Sequence, residues 1–211
     1  MSASPIPRRS QRERRDETQR KLLEATLECL AELGYARTTT PEIVRRAGLS
    51  QGALFKHYAS KDALLAAAME LLFGALVAGY ERALVALPKG RATPEAAFEL
   101  LWSIFTGPRL AIAFELYMVA RTDRELARCL EPVVRHHRQQ LVQHARALFP
   151  AAARNNPEFD AWVDLLMCSM EGLVIESYGA GPVTGPARAV LKRLILEALT
   201  RGMPRGRDLR R

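Results

Sequence analysis

Residues 47–58 read AGLSQGALFKHY, a short and half-polar segment with two glycines. Gly48 comes directly after a predicted helix, and glycine ends helices readily because it adopts left-handed backbone angles at little cost. Ser50 follows two residues later and belongs to the residue types preferred as helix N-caps. The stretch therefore predicts a tight turn followed by a short helix at residues 51–57.

The residues before this turn predict another short helix. Thr40, Pro41 and Glu42 combine a hydroxyl cap, a proline in the first turn and an acid at the positive end of the helix dipole. Two short helices joined by a tight turn form a helix-turn-helix, whose second helix enters the major groove of DNA. Gly52 and Ala53 are small, so this helix can approach the bases closely. The competing interpretation is an ordinary loop between two core helices.

The remainder of the chain also carries a helical pattern. Apolar residues recur three and four positions apart, and no segment alternates in the way a half-buried strand does. Proline and glycine punctuate the pattern at 88–90, 107–108, 150, 155–157 and 179–186. We predict an all-α protein with about nine helices. Three widely spaced cysteines predict reduced thiols rather than a disulfide framework.

The net charge of +8 is concentrated at the two ends of the chain. Residues 1–62 and 201–211 each carry a net charge of +4, whereas residues 63–200 are neutral overall. A basic excess confined to terminal segments favours a polyanionic partner, and attachment to a membrane surface is the weaker alternative. The chain starts without a signal peptide and lacks a long uncharged apolar run, so we expect a soluble, cytoplasmic protein with no membrane partner.

One continuous series of residues within about 18–68 has a recognisable order and spacing: Leu22-Leu23-Glu24-Ala25-Thr26, Gly34-Tyr35, Thr38-Thr39, Ile43, Ala47-Gly48-Leu49-Ser50, Gly52-Ala53-Leu54-Phe55, His57-Tyr58 and Ser60-Lys61-Asp62-Ala63-Leu64-Leu65. In this respect the segment resembles the DNA-binding domain of the TetR family of bacterial transcriptional regulators. The resemblance implies a three-helix helix-turn-helix DNA-binding domain at 12–62 and a helical effector-binding and dimerisation domain at 63–202. A disordered basic arm at 1–11 and a basic tail at 203–211 would flank them.

The resemblance also implies roles for single residues at the DNA. Gln51 and Ala53 would meet bases, while Thr39 and Thr40 would contact phosphates. Phe55 stands where the family often has tyrosine, so a hydroxyl bond to phosphate is missing there. The arginine-rich N-terminal segment adds non-specific affinity or enters the minor groove. The complete set of expected contacts with double-stranded DNA is Thr39, Thr40, Arg45, Ser50, Gln51, Gly52, Ala53, Phe55, Lys56, His57 and Lys61.

Residues 63–211 contain none of the sequence motifs of a phosphate-binding loop, a dinucleotide site, a zinc protease or a serine hydrolase. We therefore expect no catalytic residue, cofactor or metal, and we interpret His136, His137 and His144 as solvated or interhelical. The resemblance implies that this half binds a small effector, which we expect to be apolar or cationic. The candidate effector residues are Phe73, Trp102, Phe105, Phe114, Glu115, Tyr117, Met118, Met167, Met170, Glu171 and Tyr178, with Tyr80 and Arg121 as further candidates.

The last two predicted helices carry broad apolar faces, and in the resembled family this pair forms a four-helix bundle with its symmetry mate. The expected dimer residues are Trp162, Leu165, Leu166, Ser169, Gly172, Val190, Leu191, Leu194, Ile195 and Ala198. We therefore predict a homodimeric, ligand-responsive regulator that binds a palindromic operator, and specifically a repressor released by its effector. The alternatives are an effector-independent regulator or activator with a solid helical core, and a helical enzyme with a basic module.

Overall fold

The computed structural model describes residues 10–88, 93–181 and 185–200. The basic tail predicted at 203–211 and all but the last two residues of the predicted arm lie outside these ranges. The described residues form helices without any strand, which confirms the predicted all-α fold. The helices are α1 (Gln11–Arg37), α2 (Thr40–Ala47), α3 (Gln51–His57), α4 (Lys61–Val85), α5 (Pro94–Phe105), α6 (Pro108–Ala120), α7 (Arg124–Leu148), α8 (Pro150–Asn155), α9 (Phe159–Ala180) and α10 (Gly185–Thr200).

The described ranges contain ten helices, one more than the sequence pattern predicts. The additional helix is α8, which begins at Pro150. We had interpreted this proline as the end of a helix, but proline is also favoured at the first helical position, where its missing N–H is not needed. The three alanines that follow it continue the helix to Asn155.

Helices α1, α2 and α3 surround a small apolar cluster. Its members are at most 7% exposed and come from these helices and the first turn of α4: Leu22, Ala25, Cys29, Ile43, Val44, Leu54 and Leu64. Full burial of one such leucine or isoleucine contributes roughly 1.5–3 kcal/mol. This cluster therefore fixes the angle between α2 and α3.

A second and larger apolar cluster occupies the space between α4 and the helices that follow it. Helix α4 packs against α1, α5 and α7, and Leu65, Met69 and Phe73 point into this cluster. Among the described residues, α4 is also the one helix long and apolar enough to cross a membrane, and α5 and α6 would pass only as one bent span. The packing of α4 inside the protein accounts for its apolar composition.

Helix α1 contributes to both clusters and bends at Gly34. Its Leu22 lies in the small cluster and its Leu30 in the large one. Gly34 has φ 71° and ψ 174°, a conformation open to glycine alone. Immediately after this bend, the Tyr35 amide donates a hydrogen bond of 2.8 Å to Glu115 Oε1 of α6. The bend thus places the end of α1 against a carboxylate of a helix far along the chain.

Replacing Gly34 with alanine should destabilise the protein by about 1–3 kcal/mol, because the new residue would be forced into a glycine-only backbone conformation. The added Cβ would also lie 2.9 Å from Glu115 Oε1. Urea unfolding of the Gly34→Ala variant measures this loss. Gly74→Ala is the matched control, because Gly74 lies within α4 with nothing near its Cβ position. There alanine should stabilise by about 0.5–1 kcal/mol. Equal effects at both glycines would contradict the strained bend.

Candidate nucleic-acid interface and ligand cavity

The turn between α2 and α3 has the geometry predicted from the sequence. Gly48 ends α2 with φ 65° and ψ 37°, and the Leu49 amide donates to the Val44 carbonyl at 2.9 Å. These are the left-handed residue and the bond of a Schellman motif. Ser50 then caps α3, because its Oγ accepts a hydrogen bond of 3.2 Å from the Ala53 amide. Backbone groups at the end of α2 and at the start of α3 therefore find hydrogen-bond partners within the turn itself, and the turn is no longer than these caps require.

Helix α3 buries one side and exposes the other. Leu54 is fully buried in the small cluster and anchors the helix. Gln51, Gly52, Phe55 and Lys56 are exposed, and their positions one, two, five and six of the helix form a single face. Phe55 is 51% exposed, which is a large exposed fraction for an aromatic side chain. Ala53 is half-buried at the edge of this face.

The start of α2 presents two threonines. Thr39 is exposed and caps the helix, with its Oγ1 accepting a hydrogen bond of 3.4 Å from the Glu42 amide. Thr40 is the first residue of α2 and is half-buried. The sequence prediction placed the cap at Thr40, one residue later than the structure does. A hydroxyl and a helix N-terminus at this position suit a phosphate oxygen.

Arg45 and Arg46 share Glu42 but have different surroundings. Arg45 pairs with Glu42 at 2.6 Å and remains 69% exposed. Arg46 is 16% exposed and bridges Glu42 of its own helix, at 2.9 Å, and Glu32 of α1, at 2.6 Å. Hydrogen bonds from both guanidinium groups lower the pKa of Glu42 to about 2. Arg46 therefore ties α2 to α1, and Arg45 is the arginine of α2 that remains available to DNA.

The side chains of Lys61 and His57 are partly buried, whereas side chains that bind DNA phosphates are expected to be exposed. The Lys61 ammonium lies 4.2 Å from the centre of the Tyr35 ring, and burial lowers its pKa. His57 Nδ1 is buried without a partner among the described residues. Burial lowers the pKa of His57, and the cations of Arg15 and Lys56 lower it further. We expected Lys61 to be free to flank the groove, but its charge is packed against Tyr35.

A basic groove runs between the first turns of α1 and the end of α3. It is lined by Gln11, Arg12, Arg14, Arg15, Thr18, Lys56 and His57. Arg12, Arg14 and Arg15 lie after the arm predicted at 1–11, in the regular helix that starts with a capping box at Ser10 and Glu13. The groove extends the positive surface of α3 along α1. In the sequence, this groove is indicated by the arginines that precede the helical pattern of α1.

A partly open apolar cavity of about 110 Å³ lies within the large cluster. Its walls come from α4–α7, α9 and α10, and α6 contributes Leu110, Phe114 and Tyr117. The sequence-predicted effector residues that line it are Phe73, Tyr80, Phe105, Phe114, Tyr117, Met167 and Glu171. These residues are spread over about 100 positions of the chain, and the fold brings them to one space.

The other sequence-predicted effector residues do not line this cavity. Met118 and Tyr178 are 53% and 60% exposed, and Met170 is fully buried in the core. Trp102 packs near Phe98 and under the Arg188 guanidinium. Glu115 faces α1 instead, as the hydrogen bond to Tyr35 requires, and Arg121 is exposed.

His137 was predicted to be solvated or interhelical, and the prediction did not include the cavity, which this residue lines on α7. Its ring stacks on Phe73 with the ring centres 3.9 Å apart and the planes 2° from parallel. Burial lowers the pKa of His137 to about 4, so the imidazole is uncharged at neutral pH. His137 interrupts an apolar stripe of α7, and the criterion that drew attention to Glu115 and Glu171 would have found it too.

Helices α9 and α10 leave an apolar groove on the surface. Leu165, Val190 and Leu194 are between 45% and 49% exposed, and the groove also contains Ser169, Gly172 and Leu191. The expectation needs correction for Leu166, Ile195 and Ala198, which are at most 6% exposed because they point into the protein interior. Trp162 is half-buried against the large cluster. The surface available to a partner is therefore narrower than the full set of predicted dimer residues.

Helix α3, the second helix of the helix-turn-helix, is exposed and has a basic groove beside it, and a separate apolar cavity lies in the large cluster. This combination is typical of a helix-turn-helix regulator of transcription. Residues 22–68 match the family model for bacterial regulatory proteins of the tetR family. An uncharacterised HTH-type transcriptional regulator of Mycobacterium bovis is 32% identical over 167 residues, which cover 79% of this chain and 86% of that protein. The chain belongs to the TetR family of DNA-binding transcriptional regulators.

Solved structures agree with this fold. A TetR transcription regulator from Haloarcula marismortui is similar with a TM-score of 0.64 and 18% identity, covering 89% of this chain and 98% of that one. A transcriptional regulator from Saccharomonospora viridis, solved in complex with choline, has a TM-score of 0.58 and 14% identity over 85% of this chain and 94% of that chain. At these identities the likeness concerns the fold.

Replacing Lys56 with alanine should weaken binding to all DNA sequences alike. Each phosphate contact that is lost should reduce the slope of log affinity against log salt by about 0.9. Fluorescence anisotropy with labelled duplexes between about 50 and 200 mM salt measures this slope. Lys192→Ala is the matched control, because Lys192 lies on α10 and pairs with Glu99 at 2.8 Å. An unchanged slope for Lys56→Ala would remove this lysine from the interface.

Proposed function

We propose that the protein is a homodimeric repressor in the cytoplasm, which binds a palindromic operator and leaves it when a small molecule occupies the cavity. The observation that carries this proposal is the position of α6. This helix lines the cavity on one side and contacts the bent end of α1 on another. The choline complex of the Saccharomonospora viridis regulator supports a small-molecule effector in general. The protein would act by binding alone, without catalysis.

The DNA-reading part of the proposal rests on the exposed face of α3. Gln51 at the start of that face would reach base edges, since the N-terminal residues of a recognition helix do so. The hydroxyls of Thr39 and Thr40 at the start of α2 would contact phosphates, as would the side chains of Arg45 and Lys56. The groove lined by Arg12 and Arg15 would follow the backbone beyond α3. These cationic contacts set affinity and register, whereas Gln51 sets sequence preference.

The proposed dimer uses the groove between α9 and α10. Three half-exposed side chains, Leu165, Val190 and Leu194, lie along it with the small residues Ser169 and Gly172. Small residues let helices approach closely, and exposed leucines gain free energy when a second copy covers them. A two-fold dimer presents two α3 helices to successive major grooves, about 34 Å apart. The operator would therefore be an inverted repeat.

The proposed release depends on the contact between α6 and α1. Phe114 and Tyr117 of α6 face the cavity, and Glu115 between them holds the Tyr35 amide at 2.8 Å. A molecule that shifts α6 would therefore shift the end of α1, and earlier turns of the same helix supply Leu22, Ala25 and Cys29 to the small cluster under α3. The DNA affinity would change only as far as the molecule binds the two arrangements with different affinities.

Full-length protein should enrich inverted repeats from random duplexes, with half-site centres about one DNA turn apart. Leu194→Glu should enrich single half-sites with much lower affinity, because a charge in the apolar groove prevents pairing. Sequencing of the selected duplexes and sedimentation analysis measure both effects.

The control for this experiment is Val85→Glu, which places the same charge on a side chain that is 86% exposed at the end of α4. It should remain a dimer and keep the wild-type sequence preference. Selection of single half-sites by the wild-type protein, or a dimeric Leu194→Glu variant, would contradict the proposed dimer.

Glu115→Ala should destabilise the protein by about 1–3 kcal/mol, because it leaves the half-buried Tyr35 amide without its acceptor. The Tyr35 amide should then exchange hydrogen faster, which mass spectrometry of peptides from the end of α1 detects. Glu131→Ala is the control, because Glu131 is 66% exposed and pairs with Arg135 on the surface of α7. Its effect should stay within about 0.5 kcal/mol. Unchanged exchange at Tyr35 in Glu115→Ala would contradict the role given to this contact.

A further inference from the structure

The polar groups in the cavity wall narrow the chemistry of the molecule it can hold. Apolar and aromatic side chains form nearly all of the wall. The polar exceptions are Tyr80, Tyr117, His137, His144 and Glu171. The surroundings of these five groups show which of them still have hydrogen-bonding capacity for a ligand. The reasoning rests on the proposed function, in which this cavity is the effector site.

Two of these groups, Glu171 and His144, already have partners. Glu171 accepts a hydrogen bond from Arg138 at 3.2 Å, and both side chains are more than half buried. His144 Nδ1 lies 2.9 Å from Glu81 Oε1. A cationic ligand at Glu171 would have to displace Arg138, and an anionic ligand at Arg138 would have to displace Glu171. Either exchange leaves one partly buried charge without compensation, which is strongly unfavourable.

The remaining groups are uncharged, and they differ in their unused hydrogen-bonding capacity. Tyr80 donates its hydroxyl hydrogen to the Ala97 carbonyl at 3.2 Å. The Tyr117 hydroxyl has no hydrogen-bond partner among the described residues, and burial raises its pKa, so the phenol keeps its proton. His137 is stacked on Phe73 and is uncharged at neutral pH, and its buried Nδ1 also lacks a partner among the described residues. Tyr117 and His137 therefore both keep hydrogen-bonding capacity for a ligand, and the Tyr117 hydroxyl can both donate and accept, whereas one ring nitrogen of a neutral imidazole can only do one of the two.

The size and shape of the cavity limit the ligand further. A volume of about 110 Å³ is somewhat smaller than the ~150 Å³ apolar cavity that accepts one benzene molecule in an engineered protein. Phe73, Phe98, Phe105 and Phe114 in the wall present aromatic faces and edges. Aromatic pairs with offset or tilted geometry gain energy beyond their burial. These properties fit one aromatic ring, and the open side of the cavity leaves room for a small substituent on that ring.

We propose that the cavity binds an uncharged molecule of about one aromatic ring that carries one hydroxyl group, and that Tyr117 hydrogen-bonds this hydroxyl. A ligand hydroxyl both donates and accepts, as the Tyr117 hydroxyl does, so the pair can form in either direction. Burial of the hydrophobic ring provides affinity, and the hydroxyl group distinguishes this ligand from rings that lack one. Of the apolar and cationic effectors that the sequence left open, the cavity wall therefore favours an uncharged one.

The test compares four probes of similar shape on the full-length protein at neutral pH: benzyl alcohol, toluene, benzylamine and benzoate. Isothermal calorimetry should rank benzyl alcohol first, and about 3- to 10-fold above toluene, the ratio expected for one hydrogen bond. Benzylamine and benzoate should bind more weakly than toluene, because their charges find no unpaired counterion. Tyr117→Phe should bring benzyl alcohol down to the level of toluene and leave toluene binding unchanged.

The control variant is Tyr178→Phe, which removes a hydroxyl that is 60% exposed and outside the cavity lining. It should keep the preference for benzyl alcohol. Tighter binding of either charged probe would overturn the inference, and so would binding of none of the probes. A preference for benzyl alcohol that survives Tyr117→Phe would overturn it as well.

Failure of the proposed function is a separate result. If benzyl alcohol binds with the expected dependence on Tyr117 but does not weaken DNA binding in an anisotropy assay, the ligand class holds and the effector role fails. If DNA binding weakens only with a charged probe, the effector role holds and the ligand class fails.

Discussion

The hydrogen bond between the Tyr35 amide and Glu115 is the interaction on which the arrangement of this molecule depends. It forms only because Gly34 takes up a backbone conformation that other residues avoid. Helix α1 enters the small cluster with Leu22 and the large cluster with Leu30, and the bend that follows them anchors the end of this helix on α6. A helix that belongs to two cores cannot move in one without disturbing the other. Two carboxylates therefore hold the residue after the bend, because the Tyr35 hydroxyl also donates a hydrogen bond to Asp123 at 3.4 Å.

Charge has opposite uses in the two parts of the molecule. Along α3 and the start of α1, cations such as Lys56 and Arg15 gather on one surface, where a polyanion can neutralise them. Inside the large cluster, the Glu171–Arg138 pair leaves no excess charge beside the cavity. Arg46 belongs to neither category, because two glutamates hold it and it tightens the packing of α2 on α1. A count of basic residues would have treated all of these side chains alike.

The sequence was most informative where local chemistry decides the structure. Gly48 and Ser50 predict the turn before α3 because caps and left-handed residues act over two or three positions. Pro150 misled the helix count, since proline serves equally well at the end and at the start of helices. Glu115 and Met118 were expected at the cavity, because periodicity shows which residues share a face of one helix but not which neighbour that face meets. The position of His137 at the cavity was missed for a related reason, as only the fold places it against Phe73.

The charge pair at the cavity wall also bears on how the cavity could change in related proteins. Because Glu171 and Arg138 cancel each other, a single codon change at either position would leave a net charge of known sign beside an otherwise unaltered apolar space. The first turns of α3 lie in a different cluster and would keep their sequence preference through such a change. A bound molecule of the opposite charge could then replace the missing partner, so one mutation would change the charge that the cavity can accommodate.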